Sequence, residues 1–260
     1  MKAPVIIVGL GELGGEFAKG FLRCGHPVIP VLRGMNMDSL AIENPSPALV
    51  LVTVAENDLS PVLAELPVSW RGCTALLQNE LTPTAWQRLG LEEPTVAVVW
   101  FEKKPGRPLN DILDTPLYGP KAVLLGEALR KMGVKTRLLR SENELIFELA
   151  RKSLYILTLN IASLEVDATV GELWHEHREL VAGVLMEVLQ VLEKRFATSL
   201  PKDALVTGVA AGVADCPHRR ARGRRARQRL QGVVAEAGKS GLAVPTLEKI
   251  EQQILEHRIT

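Results

Sequence analysis

Apolar residues in the first 140 positions fall into short runs separated by polar or helical stretches: VIIVGL (5–10), PVIPVLR (27–33), ALVLVTV (48–54), CTALLQ (73–78) and TVAVVW (95–100). Runs of this length, rich in valine and isoleucine and alternating with helical segments, predict a mainly parallel sheet covered by helices on both faces. From about Glu142 the pattern changes. ELIFELARKSLYILTLNIASLEV (144–166) and RELVAGVLMEVLQVLEKRFA (178–197) are long, leucine-rich and almost free of glycine and proline, with apolar residues at helical spacing. The chain is therefore predicted to be α/β, with a Rossmann-like N-terminal domain over residues 1–140 and an all-helical C-terminal domain over 141–260. Between them FEKKPGRPLNDILDTPLYGP (101–120) is dense in turn residues and is expected to be a hairpin or irregular strand pair closing the first domain.

Glycine placement gives the first domain its candidate chemistry. Gly9, Gly11 and Gly14 spell G-x-G-x-x-G directly after the first strand and at the start of a helix. In that context the first glycine permits a tight turn, the second lets backbone approach a pyrophosphate, and the third lets helix and strand pack closely. The helix N-terminus then faces the phosphate charge. Glu12 and Leu13, inside the motif, are counted with the cofactor-binding segment. The second strand addresses the nucleotide. An acid there would accept from a ribose 2′-hydroxyl, whereas a basic residue accommodates a 2′-phosphate. Here the strand ends in Arg33 and no Asp or Glu lies between Glu16 and Asp38, which favours NADP. The alternative is that Arg33 is a solvated strand-end residue.

These segments resemble the ketopantoate reductase (2-dehydropantoate 2-reductase) family, and the resemblance runs over nearly the whole chain. VGLGELG followed by GHPVIPVLR matches its N-terminal part, and LLQNE (76–80) its L-x-Q-N-G segment, which puts Asn79 near nicotinamide and substrate. KKPGRP followed by LYGP is similar to its P-G hairpin and the turn after it. The most specific match is ELARKSLYILTLNIASLEVDATVGEL (148–173), against E-L-W-x-K-x-x-x-N-x-x-x-N and a trailing G-E-L. It sets Lys152 on the family's catalytic lysine, Asn160 on its second, substrate-binding asparagine, and Gly171-Glu172-Leu173 on the trailing element, without a gap. QGVVAEAGKSGLAVPTLEKI (231–250) is similar to the family's late N-G-x-V-V and G-I-x-V-P segments. The resemblance implies NADPH-dependent reduction of a 2-oxo acid such as 2-dehydropantoate, and leaves a homodimer through the helical domain open.

Read on their own, Lys152, Ile156 and Asn160 are four apart and share one helix face. A lysine on such a face can give a proton to a carbonyl oxygen while hydride reaches the carbon, and its charge stabilises the developing oxyanion. The alternative is a lysine whose stem packs on the helix while its head reaches water.

Three positions depart from the family. Ile156 stands at its first asparagine and cannot hydrogen-bond. Ala55 stands at a lysine that approaches cofactor and substrate. Ala226 falls at a late glutamate that contacts substrate hydroxyls, and no acid lies between Asp215 and Glu236. A second function class follows from these losses: a catalytically impaired member that binds NADP(H) in a sensing or scaffold role.

Composition narrows the picture further. At 260 residues and 47% hydrophobic content the chain can bury a sizeable core. Three cysteines, widely spaced, suit reduced thiols in the cytoplasm. No apolar stretch is long enough to span a bilayer, and the N-terminus is expected to be that of the mature chain, without a signal peptide. His175 and His177 are two apart on a predicted helix and point to different faces, so no metal is expected. The net charge of +1 hides HRRARGRRARQR (218–229), with seven arginines and no acid. The run reads as a solvated loop or helix face; the other readings are a clamp for an anionic substrate or a polyanion site. It lacks the interleaved aromatics that would stack bases, which counts against nucleic acid.

Overall fold

The computed structural model describes residues 2–77, 82–103, 106–223 and 225–256. It divides into two compact units, Met1–Leu145 and Ile146–Thr260.

In the first unit, β1 (Val5–Val8) leads into α1 (Glu12–Arg23), β2 (Val28–Val31), α2 (Met37–Glu43) and β3 (Leu49–Val52). The chain continues through α3 (Glu56–Ala64), α4 (Val68–Arg71), β4 (Thr74–Leu77), α5 (Pro83–Arg88) and β5 (Thr95–Ala97). These five strands form the parallel part of the sheet, in the order β2-β1-β3-β4-β5. Strands in such a sheet are buried on both faces, which is why VIIV and LVLV read as unbroken apolar runs. Val5, Ile7, Leu49 and Leu51 join a core with Phe17 and Phe21 of α1, while the alternate residues Ile6, Val8, Val50 and Val52 are buried as well.

The segment 101–120 does two things where the sequence suggested one. β6 (Phe101–Glu102) and β7 (Asn110–Asp111) make the expected antiparallel hairpin, but β8 (Thr115–Tyr118) enters the main sheet antiparallel to β5. After α6 (Ala122–Lys131), β9 (Thr136–Leu138) pairs parallel to β8 and completes a seven-stranded sheet among the described residues. α6 packs on α1, and the two approach so closely that a Cβ on Gly20 would stand 2.8 Å from the carbonyl oxygen of Ala128.

The second unit contains only helices as regular elements among its described residues. α7 (Glu142–Ala162) runs into it and is followed by α8 (Val170–Glu176), α9 (Arg178–Phe196), α10 (Lys202–Asp215), α11 (Ala226–Lys239) and α12 (Pro245–Glu256). α9 packs against α8, α11 and α12 and buries Val184, Val188 and Leu192, which recur on one of its faces. The buried carboxylate of Glu187 on α9 caps α12 from outside that helix, accepting from the backbone N–H groups of Thr246 (2.8 Å) and Leu247 (2.9 Å). Two donors that open every helix are thereby satisfied by a charged acceptor.

Glu187→Ala is expected to destabilise the chain by about 2–4 kcal/mol, because it strands two N–H groups in a place with little water. Urea unfolding measures it, and Glu187→Gln should recover part of the loss.

Candidate functional site

The first unit carries a cavity of about 560 Å³ beyond the carboxyl ends of β1, β2 and β3. Gly9 and Gly11 line it on one side, Arg33 and Gly34 on another, and Ala55 and Asp58 on a third. Backbone geometry explains the glycines. Gly9 has φ +91°, a left-handed conformation that a side chain disfavours, and a Cβ there would stand 2.9 Å from Val54 Cγ1. At Gly14 a Cβ would run into the carbonyl oxygen of Gly9 and lie 2.7 Å from Thr53 Oγ1, whose hydroxyl donates to that carbonyl. Gly11, by contrast, opens on empty space, with nothing within 4 Å of a Cβ. A tight turn, close helix packing and an open backbone edge at a helix N-terminus are what a pyrophosphate requires. The residues present fit a dinucleotide.

Other predicted cofactor residues sit less directly. Leu13 packs against the core, and Glu12 pairs with Lys103 (3.5 Å), whose ammonium also donates to the carbonyl of Arg107 (2.6 Å); neither Glu12 nor Leu13 lines the cavity. Arg33 reaches Asp58 through Nη2 at 3.2 Å. Ala55 is exposed at the cavity wall. Asn79 lies outside the described residues.

The second unit holds Lys152 on α7. It is buried, and burial pushes its ammonium well below the ordinary lysine range, with the Arg229, Arg219 and Arg151 charges acting in the same direction. Arg151 is balanced by Glu148, which accepts from its Nε (3.0 Å) and Nη2 (2.6 Å). Asn160, two turns on, is also buried. Its Nδ2 donates to the carbonyl of Ala221 (2.9 Å) and its Oδ1 accepts from Arg229 Nη1 (2.6 Å), which leaves one N–H and one lone pair for anything else. Ile156 between them is half-buried, and Ala226 is buried at the start of α11.

The arginine run is not a uniformly solvated face. Residues 217–223 are held to the helical unit by their backbone: Gly171 N–H donates to Pro217 (2.8 Å), Val170 N–H to Arg219 (2.8 Å) and Ala221 N–H to Ala168 (3.3 Å). Arg222 turns inward to the carbonyl of Ser163, donating through Nε at 2.9 Å. Gly223 lies against Asn160 so tightly that a Cβ would collide with its Oδ1. Arg220 stays outside, 3.5 Å from Asp167. The T-V-G-E-L segment supplies the other half of this strap. Thr169 and Glu172 form a reciprocal capping box on α8, and Gly171 leaves room for Pro217.

Sequence reasoning passed over two residues here. Tyr155 is buried three positions after Lys152, and burial raises its hydroxyl above the usual tyrosine range. Asp58 looked like any acid in a first helical turn. A helical period applied outward from Lys152 would have found the first; nothing local marks the second. Among the described residues no three His, Cys, Asp or Glu side chains gather as a metal site, and no helix is long and apolar enough to cross a membrane.

Solved structures with the same fold can now be set beside this geometry. A ketopantoate reductase from Ralstonia eutropha is 16% identical, with 98% of this chain and 97% of that one covered and a TM-score of 0.66. A dimeric ketopantoate reductase from Staphylococcus aureus is 14% identical over 97% and 99% of the two chains, with a TM-score of 0.63. The chain has the ketopantoate reductase fold. D-mandelate dehydrogenase, solved with NADH, shares it at 13% identity over 97% of each chain and a TM-score of 0.65. No protein-family model matches the chain, and no curated protein does.

Lys152→Met tests the cost of the buried ammonium. A lysine with a lowered folded-state pKa binds fewer protons folded than unfolded, so its contribution to stability improves as pH rises towards the unfolded value and is lost as pH falls through the folded one. The variant is expected to lose less stability than the wild type as pH falls from alkaline towards neutral. Melting temperatures across that range check it; a variant whose melting temperature falls as steeply as that of the wild type would show that Lys152 supplies no such pH dependence.

Proposed function

We propose that this chain is an NADP(H)-dependent oxidoreductase of the ketopantoate reductase type, reducing a 2-oxo acid to the 2-hydroxy acid, with 2-dehydropantoate the leading substrate candidate. The observation that carries the reading is the glycine turn at the mouth of the 560 Å³ cavity with Arg33 on its rim, in a fold shared with nicotinamide-dependent reductases.

In this reading the backbone at Gly9 and Gly11 and the N-terminus of α1 take the pyrophosphate, and Arg33 takes the 2′-phosphate by parallel N–H contacts. The bound dihydronicotinamide supplies the hydride. Lys152 delivers a proton from Nζ to the carbonyl oxygen, and its depressed pKa brings it closer to the value at which proton donation near neutral pH is effective. Arg219 and Arg229 add positive potential around it, which suits the carboxylate of a 2-oxo acid and the alkoxide formed on reduction. Asn79 and Asn160 orient cofactor and substrate, Asn160 through the polar capacity left over from Ala221 and Arg229. Half-buried cysteines that form no disulfide suit the cytoplasm, and the dimeric Staphylococcus aureus relative in fold makes a homodimer the assembly to test.

A second reading has its own observation. Where the family places polar arms, this chain presents Ala55 at the cavity wall and Ile156 between Lys152 and Asn160. Such a protein could bind the dinucleotide as a signal and turn nothing over.

Oxidation of NADPH by the purified protein against a panel of 2-oxo acids including 2-dehydropantoate decides between them. Turnover that falls by at least about a hundredfold in Lys152→Ala is the expected result. Saturable NADPH binding with no turnover across the panel would establish the second reading instead.

A further inference from the structure

The glycine motif does not account for the charge pattern at the far end of the nucleotide cavity. Arg33 leaves β2 and places Nη2 3.2 Å from Oδ2 of Asp58, in the first turn of α3. Both line the cavity, as does Glu65 just past the end of that helix. Among the described lining residues Arg33 is the single basic side chain, in a cavity that two carboxylates also line. The Arg33 side chain is 90% exposed and that of Asp58 48% exposed, so the pair contributes little to folding and can exchange partners with a ligand at low cost.

Two kinds of ribose meet this corner differently. A 2′-phosphate finds a guanidinium shaped for it, but one already engaged, and the phosphate must lie beside the carboxylate of Asp58. Like charges so placed repel. A free 2′-hydroxyl finds the reverse: Asp58 is an acceptor it can donate to, the same chemistry that an acid at the end of the second strand provides elsewhere. Here the acid comes from α3 instead, and the basic residue occupies the strand end. The position that would have added a second cation, Ala55, is apolar and exposed on the same wall.

We infer that Asp58 sets discrimination at the ribose 2′ position, so that this chain accepts NADH alongside NADPH and prefers the phosphorylated form by less than about tenfold. Arg33 makes NADPH acceptable; Asp58 keeps the preference small. The inference rests on the nicotinamide-dependent reading above.

The test is binding, not turnover. Dissociation constants for NADPH and NADH are measured by nucleotide fluorescence at fixed ionic strength for the wild-type protein, Asp58→Asn and Arg33→Ala, with thermal melts confirming that both exposed-site variants fold. Wild-type constants within about tenfold of each other are expected, and Asp58→Asn should shift the ratio towards NADPH by at least about threefold. Arg33→Ala should weaken NADPH while leaving NADH within about twofold. A wild-type preference for NADPH above tenfold, or a shift below threefold in Asp58→Asn, overturns the assignment to Asp58 while leaving the cofactor reading intact. Failure of the wild-type protein to bind either nucleotide overturns both.

Discussion

The contact on which the first unit depends is the one between Gly14 and the turn it packs against. A hydrogen in place of a Cβ lets α1 lie directly on the Gly9 carbonyl and on Thr53 at the end of β3, and the Thr53 hydroxyl closes onto the same carbonyl. That approach fixes where the helix begins relative to three strand ends. It determines which backbone edge is left open at Gly11 and therefore where a cavity can exist. Phe17 and Phe21, one and two turns along, then enter the core with Val5, Ile7, Leu49 and Leu51, so that the shape of the cavity and the packing of the sheet follow from one close contact.

The second unit is organised by a polar interior. Asn160 joins α7 to the arginine loop on one side and to α11 through Arg229 on the other. The loop is stitched to Val170 and Gly171 as well. Buried polar groups of this kind cost free energy when half satisfied, and here both ends of the Asn160 amide are engaged. Lys152 lies two turns back on the same face of α7, where burial and the Arg229, Arg219 and Arg151 charges disfavour its ammonium. Lysines perturbed in this way cluster at functional sites.

Much of this was legible in the chain. The strand runs before Trp100, the glycine turn and the helical second half follow from periodicity and from the steric demands on glycine. The Lys152–Asn160 register came through resemblance, since lysine and asparagine at that spacing on an apolar helix have no unique physical meaning. β8 and β9 were missed for a physical reason: TPLY carries a proline inside a strand, and TRL is three residues long with two of them exposed, so neither shows an apolar run. The inward turn of Arg222 and Arg229 was missed because the partners, Ser163 and Asn160, are 59 and 69 positions away. The cap that Glu187 places on α12 is equally nonlocal.

One device recurs at several of the described cations. Arg33 is held by Asp58, Arg229 by Asn160, and Lys103 lies against Glu12 at the start of α1. Asp58 lines the cavity beside Arg33, so a ligand entering there has to share the cation or displace its partner, whereas Glu12 does not line that cavity and Asn160 is buried. The cost differs with the holder. A neutral amide such as Asn160 can remain beside an incoming carboxylate without repelling it, whereas Asp58 and Glu12 cannot. Charge balance at a site is therefore set less by how many arginines lie near it than by which of them are paired to carboxylates. In the arginine-rich segment Arg222 and Arg229 are tied to a neutral carbonyl and an amide while Arg220 pairs with Asp167, and in the cavity of the first unit Arg33 is already paired to a carboxylate.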